Sequence, residues 1–144
     1  MKKAKRILVG LKTAEQTVEL TDIACRLGAH RAKLLLVHVI ELPDATPLDA
    51  EIPDLEANAQ KILRAAERVA RYSRMSVQKL VLHASSAGDA LLDELKEKKI
   101  ELAVLGYHHG HTVGELILGT THKHLMNHAP CALVMSIPPR DKKK

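Results

Sequence analysis

Residues 105–121 read LGYHHGHTVGELILGTT, and this segment determines how the rest of the sequence is interpreted. It begins in a short apolar run, passes through four glycines and ends in Gly119, Thr120 and Thr121, which open a helical pattern. In open α/β sheets, ligands bind beyond the carboxyl ends of the strands, and N–H groups at a helix start bind anions. The segment therefore predicts a phosphate cradle in which two amides and two hydroxyls face one anion.

Strand and helix patterns alternate along the whole chain. Five apolar runs are typical of strands covered on both faces, as in a parallel sheet, and they span residues 7–11, 33–40, 77–83, 102–105 and 131–137. Amphipathic helical patterns fill the intervals, at residues 14–27, 55–72 and 87–98 and from Thr120 or Thr121 to His128. Gly28 suits a helix C-cap and Ser86 a helix N-cap. This alternation predicts right-handed βαβ crossovers and a three-layer α/β sandwich.

The length of 144 residues suits one domain, with basic tails at residues 1–6 and 140–144 and an acidic loop at residues 41–56. Hydrophobic residues make up 46% and charged residues 27%, which excludes a disordered chain. No apolar run reaches the roughly 18 residues of a membrane span. The two cysteines, Cys25 and Cys131, lie far apart and form no CxxC motif. We therefore expect a cytoplasmic protein without disulfides.

The net charge of +5 does not indicate a nucleic-acid partner. The two tails together carry +7, so the region between them sums to −2, whereas a nucleic-acid face needs its basic residues on the folded body. The chain has two tyrosines and neither Phe nor Trp, and proteins that bind single strands stack bases on such rings. We therefore expect no nucleic-acid partner.

The sequence offers little support for nucleophilic or metal-dependent catalysis. It contains no GxSxG elbow, no GxxxxGK[ST] loop and no HExxH motif. Six of the nine histidines lie between residues 108 and 128, and His124 and His128 have a spacing that can chelate a metal, but no acidic residue or thiol completes a ligand set. We interpret these as polar loop and helix-surface histidines. His38, in the middle of a strand, is interpreted as a hydrogen-bonded core or rim residue.

The sequence resembles the universal stress protein family along nearly its whole length. The resemblance is carried by the glycine segment, by the run HAPC at residues 128–131 before the last strand and by LVHV at residues 36–39 in the second strand. It implies an adenine nucleotide alpha hydrolase-like fold with strand order 3-2-1-4-5, and a dimer. It also implies that the chain binds ATP or AMP, with Mg²⁺ accompanying ATP.

Two positions depart from the family pattern. Nucleotide-binding members carry G-x2-G-x9-G-[ST], whereas this segment reads G-x3-G-x8-G-T, with His109 at the family's glycine position and Gly110 one residue later. ATP-binding members have an Asp after the first strand, where this chain has Lys12, which cannot accept a hydrogen bond from the adenine amino group. We expect Lys12 near phosphate or ribose, and adenine against the backbone near Val39. The expected nucleotide contacts are Leu11, Lys12, Thr13, Val39, Leu105, Gly106, His109, Gly110, Gly119, Thr120 and Thr121.

Three functions remain open. The first hypothesis is a regulatory, non-catalytic dimeric module of the stress response that binds an adenine nucleotide. The second is a nucleotide-independent protein-interaction domain of the same fold, which Lys12 and His109 favour. A slow ATP hydrolase ranks third, because no evident base or metal carboxylate lies near the glycine segment. In the implied strand order, the uncharged last strand at residues 131–137 lies at a sheet edge, so we expect it to pair antiparallel with a second copy.

Overall fold

Five strands and four helices alternate in the computed structural model, which describes residues 2–42, 52–107 and 120–139. The strands are β1 (Ala4–Gly10), β2 (Gly28–Glu41), β3 (Ser76–Ala84), β4 (Leu102–Gly106) and β5 (Ala132–Ser136). The helices are α1 (Ala14–Leu27), α2 (Pro53–Tyr72), α3 (Ala87–Glu97) and α4 (Thr120–His128). The strands pair in parallel in the order β3-β2-β1-β4-β5, which confirms the expected fold.

The two faces of the sheet pack against different helix pairs. Alternate strand residues point to opposite faces, so Val9 packs with α1 and α2 whereas Leu8 packs with α3 and α4. Ile62 of α2 and Leu125 of α4 are each 1% exposed and lie in these two cores. The sheet is therefore the middle of three layers. Within the described ranges, no helix is long and apolar enough to cross a membrane.

α1 passes directly into β2 at Gly28, upstream of the predicted strand start at residue 33. The Gly28 backbone is already extended, with φ −81° and ψ 154°, while its N–H still bonds to the carbonyl of Ala24. A Cβ at Gly28 would lie 2.9 Å from Ile7 Cδ1, so this glycine permits close packing rather than a left-handed cap. Arg31, with φ 58°, lies where the β1–β2 register shifts. Because this irregular stretch is polar, the apolar-run criterion missed it.

Other predicted boundaries move by a few residues. β1 begins at Ala4, so Lys5 and Arg6, assigned to a basic tail, lie in the sheet. Glu41 ends β2, and α2 begins at Pro53, a residue favoured in the first turn of a helix. The two ends of the predicted acidic loop therefore belong to a strand and a helix. Residues 43–51 of that loop, and the predicted basic tail at residues 140–144, lie outside the described residues.

Both α2 and α3 end in a Schellman motif whose left-handed residue is basic. After α3, the N–H of Ile100 bonds to the carbonyl of Leu95 at 3.0 Å, and the N–H of Lys99 bonds to that of Lys96 at 3.3 Å. Lys99 has φ 53°, and Arg74 takes the same place after α2 with φ 61°. Glycine is the usual residue at this position, because it has no Cβ to clash.

Candidate functional site

A cleft of about 430 Å³ lies where β1, β2 and β4 end, at the carboxyl edge of the sheet. From β1, the strand order runs one way through β2 and β3 and the other way through β4 and β5. The cleft therefore lies at the switch point of the sheet, where ligands bind in open α/β folds. The starts of α3 and α4 complete its walls. Its volume is within the range of about 300–1,000 Å³ that is typical of small-molecule sites.

The end of β1 is held against β2 by two hydrogen bonds. The N–H of Leu11 donates to the carbonyl of Val37 at 2.8 Å, and the carbonyl of Leu11 accepts from Nδ1 of the buried His38 at 2.7 Å. This confirms the interpretation of His38 and means that its Nδ1 carries a proton. Lys12 follows directly and lines the cleft as an exposed side chain. The first wall of the cleft is therefore formed by a strand end that two hydrogen bonds hold in place.

Thr13 precedes α1 and does not line the cleft. Its side chain makes no capping hydrogen bond, and its Oγ1 is buried without a partner among the described residues. The backbone carbonyl of Thr13 accepts a hydrogen bond from the hydroxyl of Thr17 at 2.8 Å. Thr13 is thus adjacent to the cleft, and its side chain is turned into the protein.

The backbone after β4 is held from two sides. His122, in the first turn of α4, donates from Nε2 to the carbonyl of Gly106 at 2.7 Å. Gln16 of α1 donates from Nε2 to the carbonyl of Tyr107 at 2.8 Å. The rings of Tyr107 and His122 meet edge to face, with centroids 6.0 Å apart and an interplanar angle of 65°. These contacts fix the start of α4 against the end of β4, so the second wall of the cleft is also pre-formed.

Gly106 lines the cleft, but its missing side chain also serves the packing of α1. A Cβ at this position would overlap Oε1 of Gln16 and lie 3.0 Å from Leu20 Cδ1. The glycine therefore lets α1 approach β4 and lets Gln16 reach the carbonyl of Tyr107. The sequence predicted that Gly106 permits the approach of an anion. The structure shows that the packing of Gln16 and Leu20 also requires a glycine at this position.

The third wall joins the end of β2 to α3. Oε2 of Glu41 accepts a hydrogen bond from the N–H of Ala87 at 3.3 Å, in the first turn of α3. Ser86 caps that helix as predicted, because its hydroxyl oxygen accepts from the N–H of Asp89 at 3.3 Å. Glu41 is the one carboxylate among the described residues that line the cleft. It faces the same space as an apolar wall formed by Val37, Val39, Leu91 and Leu105.

Most of the predicted contacts converge on this cleft. It is lined by seven of them: Leu11, Lys12, Val39, Leu105, Gly106, Thr120 and Thr121. His109, Gly110 and Gly119 lie outside the described residues. Sequence reasoning missed Glu41, Tyr107 and His122, which also line the cleft. Glu41 follows Val39 by two residues, so the alternation of side chains along a strand was the signal that could have found it.

A family model described as the universal stress protein family matches residues 3–136, almost the whole chain. The chain belongs to the universal stress protein family. The resemblance inferred from the glycine segment and the strand motifs is therefore confirmed. No curated protein matched the sequence closely enough to be compared.

Solved universal stress proteins share this fold at low sequence identity. One crystallised in complex with cAMP is 19% identical, with a TM-score of 0.69 over 94% of this chain and 98% of the other. One from Archaeoglobus fulgidus in complex with dAMP is 15% identical, with a TM-score of 0.68 over 93% and 98%. One from Arabidopsis thaliana with AMP bound is 16% identical, with a TM-score of 0.66 over 97% and 95%. These likenesses confirm the fold of this universal stress protein.

Two histidines on α4 of this universal stress protein, His124 and His128, lie side by side, and His124 also faces an acidic residue of α3. Nε2 of His124 lies 2.9 Å from Oδ1 of Asp89 on α3, close enough for an ion pair when the ring is protonated, although the geometry is not that of a hydrogen bond. The rings of His124 and His128 are 4.8 Å apart and tilted by 52°. Within the described part of the chain, no three His, Cys, Asp or Glu side chains are grouped to hold a metal ion.

Neither cysteine has the surroundings of a reactive thiol. Burial raises the pKa of Cys25 and also that of Cys131, which keeps both thiols protonated at neutral pH. Cys131 packs beside the core of the α3–α4 face. The chemistry of this universal stress protein is therefore best sought in the cleft.

Proposed function

We propose that this universal stress protein binds an adenine nucleotide, ATP or AMP, as a regulatory, non-catalytic module of the stress response in the cytoplasm. The observation that carries the proposal is the cleft at the switch point, with an apolar wall on one side and the start of α4 on the other. Relatives crystallised with cAMP, dAMP and AMP support the class of ligand.

The lining of the cleft fits a nucleotide whose base lies toward β2 and whose phosphates lie toward α4. Val39 and Leu91 offer apolar contact to a purine ring, and the strand-end backbone offers it hydrogen bonds. Thr120 and Thr121 open α4, where backbone N–H groups and the positive end of the helix dipole attract phosphate. Lys12 lies between these regions, at the end of β1, and serves phosphate or ribose. When ATP is the ligand, Mg²⁺ accompanies it on the phosphates.

Glu41 supplies the hydrogen-bond acceptor that Lys12 lacks. An ionised carboxylate accepts from ribose hydroxyls or from the adenine amino group, whereas an ammonium group only donates. Glu41 ends β2, and Thr120 opens the helix that precedes β5, so the two lie on opposite sides of β1 in the sheet. This separation keeps the negative charge of Glu41 away from the phosphate end of the cleft. We assign the cleft a binding role and no catalytic step.

A nucleotide-independent protein-interaction domain is the second candidate function. Lys12 favours it, because the adenine-binding Asp of the resembled family is missing at that position. Gly106 also favours it, because its lack of a side chain is explained by the packing of Gln16 and Leu20 without any ligand. The two candidates differ in one measurable property, which is the affinity of the protein for nucleotide.

Replacement of Thr121 by Glu tests the proposed phosphate end. The new carboxylate repels phosphate at the start of α4, so Thr121→Glu should weaken AMP and ATP binding at least about tenfold, or about 1.4 kcal/mol. The helix should persist, because an acidic residue in a first turn favours a helix. The matched control is Asn127→Glu, which adds the same charge to an exposed site near the other end of α4. Calorimetry should find its affinity within about twofold of the unmodified protein.

Two outcomes would overturn the arrangement. If the unmodified protein binds neither AMP nor ATP, and heating releases no nucleotide that mass spectrometry detects, the second candidate replaces the first. If nucleotide binds but Thr121→Glu leaves its affinity unchanged, the phosphates do not lie at the start of α4.

A further inference from the structure

A second cavity, of about 350 Å³, lies at the end of the sheet opposite the nucleotide cleft. It is formed by the amino ends of β1, β2 and β3 together with the segment that follows α3. Here it is called the basic groove and is defined by Arg6, Lys33, Ser76, Gln78 and Lys98. No acidic side chain of the described residues lines it. None of the functions considered above uses this groove.

Two of its basic residues are direct neighbours across the sheet. Arg6 of β1 and Lys33 of β2 are register partners in a parallel pair. Partners in a sheet point to the same face, so both side chains project on the side that α3 and α4 cover. Like charges directly opposite each other destabilise a sheet. This pair of like charges is therefore unfavourable unless a group of opposite charge at that face offsets the repulsion.

Carboxylates of the described residues neutralise little of the positive charge in the basic groove. The Arg6 guanidinium lies 3.9 Å from Oε2 of Glu101 and donates from Nε to the carbonyl of Lys99 at 2.8 Å. The other oxygen of Glu101 is already taken by the N–H groups of Lys5 and Arg6, at 2.6 and 3.2 Å. Lys33 has no carboxylate at ion-pair distance in the described chain, and the same is true of Lys98. Two ammonium groups and one partly engaged guanidinium therefore share the groove.

The rest of the lining is polar at one side and apolar at the other. Ser76 and Gln78 add a hydroxyl and an amide from β3. Leu35 and Ile100, which belong to the core between the sheet and α3, form an apolar floor. A cavity with convergent polar groups and an apolar surface, of a volume that suits a small molecule, has the features of a ligand site.

We propose that the basic groove is a second binding site, for a small organic phosphate of the phosphomonoester class. The phosphate lies among Arg6, Lys33 and Lys98, and the organic part lies on Leu35 and Ile100. Three cations match the two negative charges of a phosphate better than the one negative charge of a carboxylate ligand. The planar guanidinium fork of Arg6 also suits phosphate oxygens. The ligand relieves the repulsion between Arg6 and Lys33, which is the physical reason for the site.

Phenyl phosphate is the probe, because it joins a phosphate to an apolar ring. It is titrated into the full-length protein while backbone amide resonances are followed by NMR. Signals of residues 33–35, 76–78 and 98–100 should shift together and saturate at millimolar concentrations. Inorganic phosphate, which lacks the apolar part, should shift the same signals with lower affinity. The absence of shifts at these residues would overturn the proposal.

The variant Lys33→Gln removes one charge of the groove at an exposed position. It should raise the dissociation constant of phenyl phosphate at the groove at least about fivefold, because a charge-assisted contact is lost. The matched control is Lys61→Gln on α2, which is exposed and away from both cavities, and its dissociation constant should stay within about twofold. Equal affinities in the two variants would contradict the site.

The variant Thr121→Glu separates this site from the nucleotide cleft, whereas AMP cannot, because AMP is itself a phosphomonoester and could occupy the groove directly. The groove and the cleft lie at opposite ends of the strands, so Thr121→Glu should leave the dissociation constant of phenyl phosphate at residues 33–35 within about twofold. If Thr121→Glu weakens this binding as much as Lys33→Gln does, the two cavities are not independent sites, and the proposal fails. This outcome is read at the groove alone, so it does not depend on the proposed nucleotide function.

Discussion

Among the described residues, the three non-glycine residues with positive φ are all basic: Arg31, Arg74 and Lys99. The left-handed conformation brings Cβ close to the following carbonyl oxygen and costs roughly 1–2 kcal/mol. A basic side chain after a helix partly offsets this cost, because it faces the negative end of the helix dipole. Lys99 also presents its carbonyl to Arg6 in the basic groove. Two of the three strained positions, Arg74 and Lys99, therefore place a basic residue at the C-terminal end of a helix.

The substitution Lys99→Gly should stabilise the protein. Glycine adopts the left-handed conformation readily, and the hydrogen bond to Arg6 is kept because it uses the backbone carbonyl of Lys99. The free energy of unfolding should rise by about 0.5–1 kcal/mol, as measured by urea denaturation. Lys96→Gly, the same change within α3, should lower it by about 1 kcal/mol. If both variants are destabilised, strain at Lys99 is not significant.

At the scale of elements, local signals predicted most of the fold. The bounds of α1 at residues 14–27 follow from the apolar period that includes Leu20 and Ala24, and from the glycine after it. The start of β2 could not be predicted in this way, because His30 and Arg31 precede the apolar run that begins at residue 33, while the ladder starts already at Gly28. Its extension depends on pairing with β1, which is a tertiary contact.

Local sequence signals also predicted part of the candidate site, whereas contacts between residues far apart in the chain determine the rest. The glycine segment and the strand ends predicted a cleft at the carboxyl edge, because parallel strands bring their carboxyl ends together. The contact of Gln16 with Gly106 and Tyr107 could not be predicted, since it joins α1 to the end of β4 across most of the chain. The position of Glu41 required the true end of β2, which the acidic composition around it concealed.

The hydrogen bonds of Glu101 connect two strands, and their contribution to the stability of the protein should depend on pH. Its carboxylate accepts from the N–H groups of Lys5 and Arg6 and so joins the start of β4 to β1. These hydrogen bonds, with the nearby charge of Arg6, hold the pKa of Glu101 below its usual value. An acid whose pKa is lowered by folding stabilises the protein above its unfolded pKa, and this contribution is lost as pH falls through the folded pKa.

Replacement of Glu101 by Gln should therefore destabilise the protein at pH 7 and make no difference in strong acid. The difference in the free energy of unfolding between the two proteins should shrink as the pH falls below the usual Glu pKa and through the lowered pKa of Glu101, because Glu101 itself becomes protonated. Denaturation curves at several pH values measure this. The control Glu97→Gln changes an exposed carboxylate on α3 and should show a smaller dependence. A pH-independent difference would contradict the assigned role of Glu101.

At the scale of the whole molecule, β5 forms one edge of the sheet, with no described strand beyond it. The carbonyl of Ser136 accepts from the N–H of Tyr107 at 3.0 Å, so the backbone groups of Met135 point away from β4. An apolar edge without charges favours association unless a partner covers it. We propose that a second copy pairs there, antiparallel about a two-fold axis. Val134 packs against the core on the α1–α2 face, so a charge at Val134 would test folding rather than assembly.

Met135→Lys is the sharper test, because Met135 belongs to neither main core cluster of the described residues. In a two-fold pair the new ammonium groups face each other near the centre of the interface, and like charges on paired strands repel. The native protein should scatter light as a dimer of twice the 15.9 kDa chain mass, and Met135→Lys as a folded monomer. Met126→Lys, at a methionine that is 57% exposed on α4, should remain a dimer because it does not lie on the strand that pairs. A native protein that stays monomeric at high concentration would contradict the pairing, since its edge would then be stable in water without a partner.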